Sequence, residues 1–235
     1  MDNANFPGFG SVPSRAQFCL AVLVRGGEFR SADFVIPIPD GGFSISGGIA
    51  DNRFVPPDDD SHGIYGNPLI VPGGVTGVGK LSRALGNMGN VTARVQAVKP
   101  MIVHDLLAFD LTLFLRIQVK NTFVGGECFI GTPEEPLSVR VYRADWDQYV
   151  PKLTVVGLPD HVLGIGNIHL AAAKFRVPAA TGAGPKGAFN TLVNARAGLP
   201  NSGATTSLKI QTEAFLARNP DWDEDETAGR EDEDA

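Results

Sequence analysis

The sequence predicts an all-β fold: a single-domain β-sandwich or partly closed β-barrel with one or two short helices. Three observations lead there. Leu107, Phe109, Leu111, Leu113, Leu115, Ile117 and Val119 occupy every second position, while Ala108, Asp110, Thr112, Phe114, Arg116, Gln118 and Lys120 fill the alternate ones. Successive side chains of a strand point to opposite faces, so this spacing makes one apolar face and one mostly polar face. The chain also holds 28 Gly and 17 Pro, residues that tight turns need, because Gly reaches positive φ and Pro presets turn geometry. Finally, short β-rich runs recur between turn signals, and no long amphipathic helix competes with them. With 235 residues, 43% of them hydrophobic, the chain supports a sizeable core in one large domain.

Residues 1–16 read as an irregular arm, 17–216 as the all-β domain, and 217–235 as an acidic disordered tail. Residues 17–25 are apolar and partly β-branched, a buried strand, and Gly26-Gly27 predicts a turn after it. Residues 29–38 form the next strand, which Pro37 confines to an edge or bulge because proline donates nothing to a ladder. Gly41-Gly42 turns into a strand carrying Phe43, Ile45 and Ile49. Residues 51–76 form a long loop with short extended pieces, of the kind that is functional or packed over the surface.

A short helix is expected around Lys80–Leu85, a strand at Val91–Val98, and an interruption at Pro100 before the long alternating strand. That strand ends at Asn121 and Gly125-Gly126 and delivers Cys128. Leu137, Val139 and Val141 alternate into another strand after the turn at Pro133 and Pro136. Leu153–Val156, Val162–Ile168 and Leu170–Val177 supply three more. Residues 178–188 read as a flexible loop, and Phe189–Ala197 as one or two helical turns closed by Gly198 and Pro200. In Ser207–Leu216, Leu208 and Ile210 suit a strand and the EAFLA end suits a helix, and the strand is preferred.

Charge narrows the function classes. Residues 221–235 carry nine acids and one arginine, a net of −8, which leaves the body near +2 against a whole-chain charge of −6. A near-neutral body offers no dense basic patch for nucleic acid. No run of about twenty apolar residues exists to span a membrane as a helix. The tail reads as a solubilising segment. The first fifteen residues lack the basic start and apolar core of a signal peptide, which read literally predicts a cytosolic chain unless a leader has been trimmed.

The motifs that carry chemistry elsewhere are incomplete here. Gly74-x4-Gly79-Lys80 nears a phosphate-binding loop, but Leu81 stands where a Ser or Thr would hold magnesium, and Pro72 sits where the preceding strand belongs. Asp58, Asp59, Asp60 and His62 cluster, yet consecutive residues of an extended chain point in different directions, so a solvated loop is expected. His62, His104, His161 and His169 show no two-histidine metal spacing, and no Gly-x-Ser-x-Gly nucleophile turn is present. No catalytic, cofactor or metal site is therefore assigned.

Asn90-Val91-Thr92 matches the three-residue glycosylation pattern, which recurs by chance. Trp146 and Tyr149, aromatics beside acids, are candidates for an interaction surface. Phe114, the lone large apolar residue on the polar face of the long strand, marks a place covered by a second layer or a partner. Cys19 and Cys128 lie on two different predicted strands. In an exported chain they are expected to form a disulfide, worth on the order of 4–5 kcal/mol for so long a loop. In a reducing compartment they would be two buried thiols.

Read in order, a set of segments resembles a known group. These are Cys19 through Gly26-Gly27-Glu28-Phe29; Phe54-Val55-Pro56; Val71-Pro72-Gly73-Gly74; Asn121 through Cys128-Phe129-Ile130-Gly131; Phe175-Arg176-Val177-Pro178-Ala179-Ala180-Thr181-Gly182; and Leu199-Pro200 through Gly203. Across residues 16–216 the chain resembles actinobacterial secreted proteins of uncharacterised function, from Streptomyces-like and Nocardia-like organisms. The resemblance implies an extracellular or cell-surface location and carries no activity. Those relatives have a signal peptide and tend to have a further cysteine where this chain reads Gly182-Ala183-Gly184-Pro185, so a second disulfide is not expected.

The leading expectation is a non-enzymatic extracellular or cell-envelope structural or interaction protein, with protein partners or self-association. A virion or other self-assembling shell protein is the first alternative, with the arm and tail contacting neighbouring subunits. A barrel that binds an apolar ligand is the second, and it requires a cavity in the core.

Overall fold

The apolar face of the long alternating segment is buried along its length. In the computed structural model it forms β8 (Asp110–Asn121), with Leu111, Leu113, Leu115, Ile117 and Val119 each no more than 8% exposed. The strand starts later than the alternation suggests: Phe109 sits in the preceding turn at φ 52°. The structure describes residues 15–32, 34–72, 90–106, 108–122, 124–144, 154–156 and 162–219. The start of the alternation at Leu107, the expected helix at Lys80–Leu85, most of the arm and all of the acidic tail beyond Asn219 lie outside them.

The other long strands are β1 (Phe18–Ser31), β3 (Phe43–Ala50), β7 (Thr92–Asp105), β10 (Leu137–Arg143), β12 (Val162–Ala173) and β14 (Thr206–Arg218). A three-residue strand, β5 (Ile64–Gly66), completes the set. The hydrogen-bonded order β1, β3, β5, β7, β8, β10, β12, β14 returns to β1, every neighbour antiparallel. The fold is a closed eight-strand antiparallel β-barrel with extra strands, one short helix and a 3-10 turn. Closure leaves the ring without an open edge.

The ring is uneven. β7 and β8 share a ladder from Thr92↔Lys120 to Asp105↔Asp110, whereas β5 meets β7 only at Tyr65↔Gln96. Gly66 makes that seam possible, since a Cβ there would stand 2.2 Å from the Val95 carbonyl oxygen. Arg94 Nε donates to the Gly66 carbonyl across the seam at 2.8 Å.

The extra strands extend the ring locally. β2 (Phe34–Ile38) pairs with β1, placing Pro37 on a strand off the ring, as expected for an edge. β4 (Arg53–Val55) follows β3 through Asp51 and Asn52, whose φ of 49° and 58° suit a two-residue hairpin turn. β6 (Leu69–Ile70) lies on β7, and β11 (Thr154–Val156) on β12. β9 (Gly125–Ile130) and β10 share one edge of β8: β10 takes Leu111–Leu115 and β9 takes Ile117–Asn121. β13 (Ala180–Thr181) is added outside β9, within the segment expected to be a loop.

Three local expectations are corrected. Gly26-Gly27 is no turn: β1 runs through it with a bulge between Val24 and Gly26, and the chain reverses later, where Ala32 has φ 52°. Gly27 has φ 153°, and a Cβ there would lie 2.1 Å from the Lys209 carbonyl oxygen. The glycine therefore answers the close approach of β14 rather than a change of direction. Pro100 does not interrupt its strand either: β7 absorbs it with register shifts between Ala97 and Ile102. The two strands expected at 162–177 are the single strand β12, bulged between Ile165 and Ile168.

The disulfide is also corrected: no bond joins Cys19 and Cys128. Cys128 belongs to the core cluster, on β9 opposite Val119. On β1 the alternation that sends Leu20, Val22 and Val24 into that cluster turns Cys19 to the other face. The ring separates them further. From β1 to β8 the path crosses β3, β5 and β7 one way, and β14, β12 and β10 the other.

Candidate functional site

The one helix in the described residues, α1 (Asn190–Ala197), sits over one end of the barrel. Its sequence sets its length. Gly198 closes it in the left-handed conformation at φ 62° and ψ 43°, as helix C-caps favour. The structure thus agrees with the helix and stop read from residues 189–200. Two asparagines tie α1 to β13 and the residues just after it: Asn194 Oδ1 accepts from the Ala180 amide at 2.7 Å, and Asn190 Oδ1 accepts from the Ala183 amide at 2.8 Å. From the last turn Arg196 reaches the other way. Its Nη2 donates to the Pro72 carbonyl at 3.4 Å, and its guanidinium carbon lies 5.2 Å from the centre of the Phe34 ring.

Beneath α1 lies a cavity of about 60 Å³, walled by Phe34 and Ile36 from β2, Ile117 and Val119 from β8, and Leu192 and Val193 from the helix. A second cavity of about 40 Å³ lies deeper, among Phe43, Leu115, Leu137 and Phe175. Ile36, Ala93 and Ile117 wall both. The lining follows from alternation: every second residue of β8 faces inward and is apolar. Arg196 is the one charged side chain among the described lining residues. Its Nε is buried and has no hydrogen-bond partner among the described residues. Leu192, one helical turn before it, is 54% exposed and forms the outer lip.

Such an arrangement can hold an apolar group and present one fixed cation beside it. Of the site candidates singled out in sequence, those among the described residues, Cys19, Cys128 and Phe114, line neither cavity. Phe114 is half-buried on the outer face, in register with Lys99 of β7 and Ser138 of β10, and walls neither cavity. Nearby on that face Arg116 stacks over Phe129 at 4.6 Å and donates to Gln96 at 2.8 Å, so the barrel's own polar side chains cover part of it. Trp146, Tyr149, His161 and the glycine-rich segment at 73–82 lie outside the described residues.

The acidic loop behaves as a turn. Asp59 accepts from the Ser61 hydroxyl, from the Ser61 amide at 2.9 Å and from the Tyr65 hydroxyl at 2.7 Å. Burial raises the pKa of Asp59, but those bonds outweigh it and hold the carboxyl below its ordinary value. Asp58 instead turns to Arg15 at 3.3 Å. Among the described residues no group of three or more His, Cys, Asp or Glu converges as a metal site, and no helix is long and apolar enough to cross a membrane. Burial pushes the Cys128 thiol up to about 11, which makes it a packing residue rather than a nucleophile.

What sequence reasoning missed is the combination of Ala93, Leu192 and Arg196. Arg196 was legible as the basic residue in the last turn of a predicted helix, a position that ordinarily complements the helix dipole. Only the folded chain brings it to the cavity. Comparison with protein-family models, curated proteins and solved structures gives no match for this chain.

Proposed function

We propose that this chain is a binding module whose barrel takes an apolar ligand through the end covered by α1. The observation that carries the reading is the pair of apolar cavities, about 60 Å³ and about 40 Å³, with shared walls and a short helix over the outer one. An eight-strand barrel either fills its interior with side chains or keeps room for one small ligand. Ligand pockets are typically concave and apolar with few polar groups, and at roughly 300–1,000 Å³ they exceed these two cavities, so a ligand of ordinary size widens the barrel as it enters. The resemblance to actinobacterial secreted proteins supports a module that works outside the cell or at its surface. Its ligand is then one met there.

The test is titration with the neutral fluorophore N-phenyl-1-naphthylamine. Saturable enhancement is expected, and Ala93→Leu, which fills the shared wall, is expected to abolish it while leaving the circular dichroism spectrum unchanged. Absence of binding to the native chain, or undiminished binding to a folded Ala93→Leu variant, overturns the reading.

A further inference from the structure

We infer that the ligand is a monocarboxylic acid with an apolar chain, its carboxylate bound by Arg196 and its chain running into the barrel. The inference rests on the apolar-ligand reading above and adds the head group.

A guanidinium offers Nε and Nη2 along one edge, the edge that takes a carboxylate through two parallel hydrogen bonds. In Arg196 that edge is poorly used: Nη2 has only the long 3.4 Å bond to Pro72, and Nε is buried with no acceptor among the described residues. A buried N–H without an acceptor is costly, so Arg196 gains from a side-chain shift that brings Nε to an incoming oxygen. No carboxylate of the described residues lies within ion-pair distance of this guanidinium. The Phe34 face at 5.2 Å holds the plane of the cation in place.

The rest of the site sets the other end of the ligand. Arg196 walls the outer cavity, Leu192 and Arg196 are four residues apart on one side of α1, and everything further in is apolar. A lone cation suits one negative charge. A phosphate monoester would bring more charge and more acceptor oxygens than one guanidinium edge serves. A neutral alcohol or hydrocarbon would leave Nε as it is.

The experiment is calorimetric titration of the full chain, and of Arg196→Gln and Arg196→Lys, with octanoate and with 1-octanol at neutral pH. Loss of the charge-assisted pair is expected to weaken octanoate about tenfold or more in Arg196→Gln while leaving octanol within about twofold. Arg196→Lys keeps the charge without the two-donor edge. It is expected to weaken octanoate several-fold, and it supplies the comparison if the glutamine variant does not fold. Octanoate bound equally by native chain and folded variants, with octanol also bound, overturns the carboxylate anchor and leaves the apolar site standing. Binding of neither compound to the native chain removes both.

Discussion

Asn201 donates from Nδ2 to the Ser31 hydroxyl at 3.1 Å, linking positions 170 residues apart in the chain. Both are buried, Ser31 at 1% exposure. Asn201 also donates to the Thr205 hydroxyl at 3.1 Å and accepts from the Gly203 amide at 2.9 Å. One side chain thereby holds the entry to β14 against the exit of β1. Asn201→Ala leaves these groups without it and is expected to cost about 2–4 kcal/mol, read from the urea midpoint. A loss under about 0.5 kcal/mol would show that these groups find other partners.

Gly27 supplies a backbone test. Gly27→Ala drives a Cβ into the Lys209 carbonyl region of β14 and is expected to destabilise by about 2–3 kcal/mol. Gly41 is the control: it also has positive φ, at 68°, but nothing lies within 4 Å of its Cβ position. Gly41→Ala is expected to cost only about 1 kcal/mol, the penalty of the left-handed conformation. Equal losses in thermal or urea unfolding would refute the close-approach account.

The Asp110–Arg140 pair predicts part of the acid response. Arg140 donates to both carboxylate oxygens, at 2.8 and 2.7 Å, and these bonds hold the Asp110 carboxyl below its ordinary value. A carboxyl depressed in the folded state contributes stability above its unfolded pKa and loses it as pH falls through the folded one. The gap between native chain and Asp110→Asn is therefore expected to be full at neutral pH and to close below about pH 4. Denaturant midpoints across pH 2–7 give the answer, and a gap that persists at the acid end contradicts the assignment.

The thiols test the corrected disulfide. The chain has two cysteines and no bond between them. Under denaturing conditions without reductant, Ellman's reagent is expected to find two thiols per chain. In the native protein Cys128 is expected to react at a rate limited by unfolding, because it is 0% exposed and its pKa is raised to about 11. Rapid native labelling of Cys128 would contradict its placement in the core.

Alternation was the readable part of this chain. Leu111 through Val119 declared an inward face, and β8 keeps it. The stop at Gly198 was legible because its signal is local, and the last strand, read at 207–216 against a helical alternative, runs over 206–218. Glycine and proline misled where a neighbouring strand decides their role. Gly27 and Pro100 look like punctuation until β14 and β8 are laid beside them. Ring closure was hidden for a similar reason. Ile64–Gly66 is only three residues long, too short for periodicity to register, yet it completes the barrel. The cavity was the least legible feature, because Ala93, Leu192 and Arg196 meet only across the folded barrel end.

The thin seam between β5 and β7 gives the barrel a mechanical character. One side of β7 carries the single β5 pair Tyr65↔Gln96, an arginine bridge and the two β6 pairs Leu69↔Ala93 and Ile70↔Thr92, and the other side carries the long ladder to β8, which makes a hinged tube with a short clasp. Opening along this clasp breaks fewer register pairs than opening along the ladder from β7 to β8. Ala93 and Val95, which wall the cavities, stand on the strand that borders this clasp. Of the two edges of β7, the clasp is thus the cheaper one to open when the interior widens.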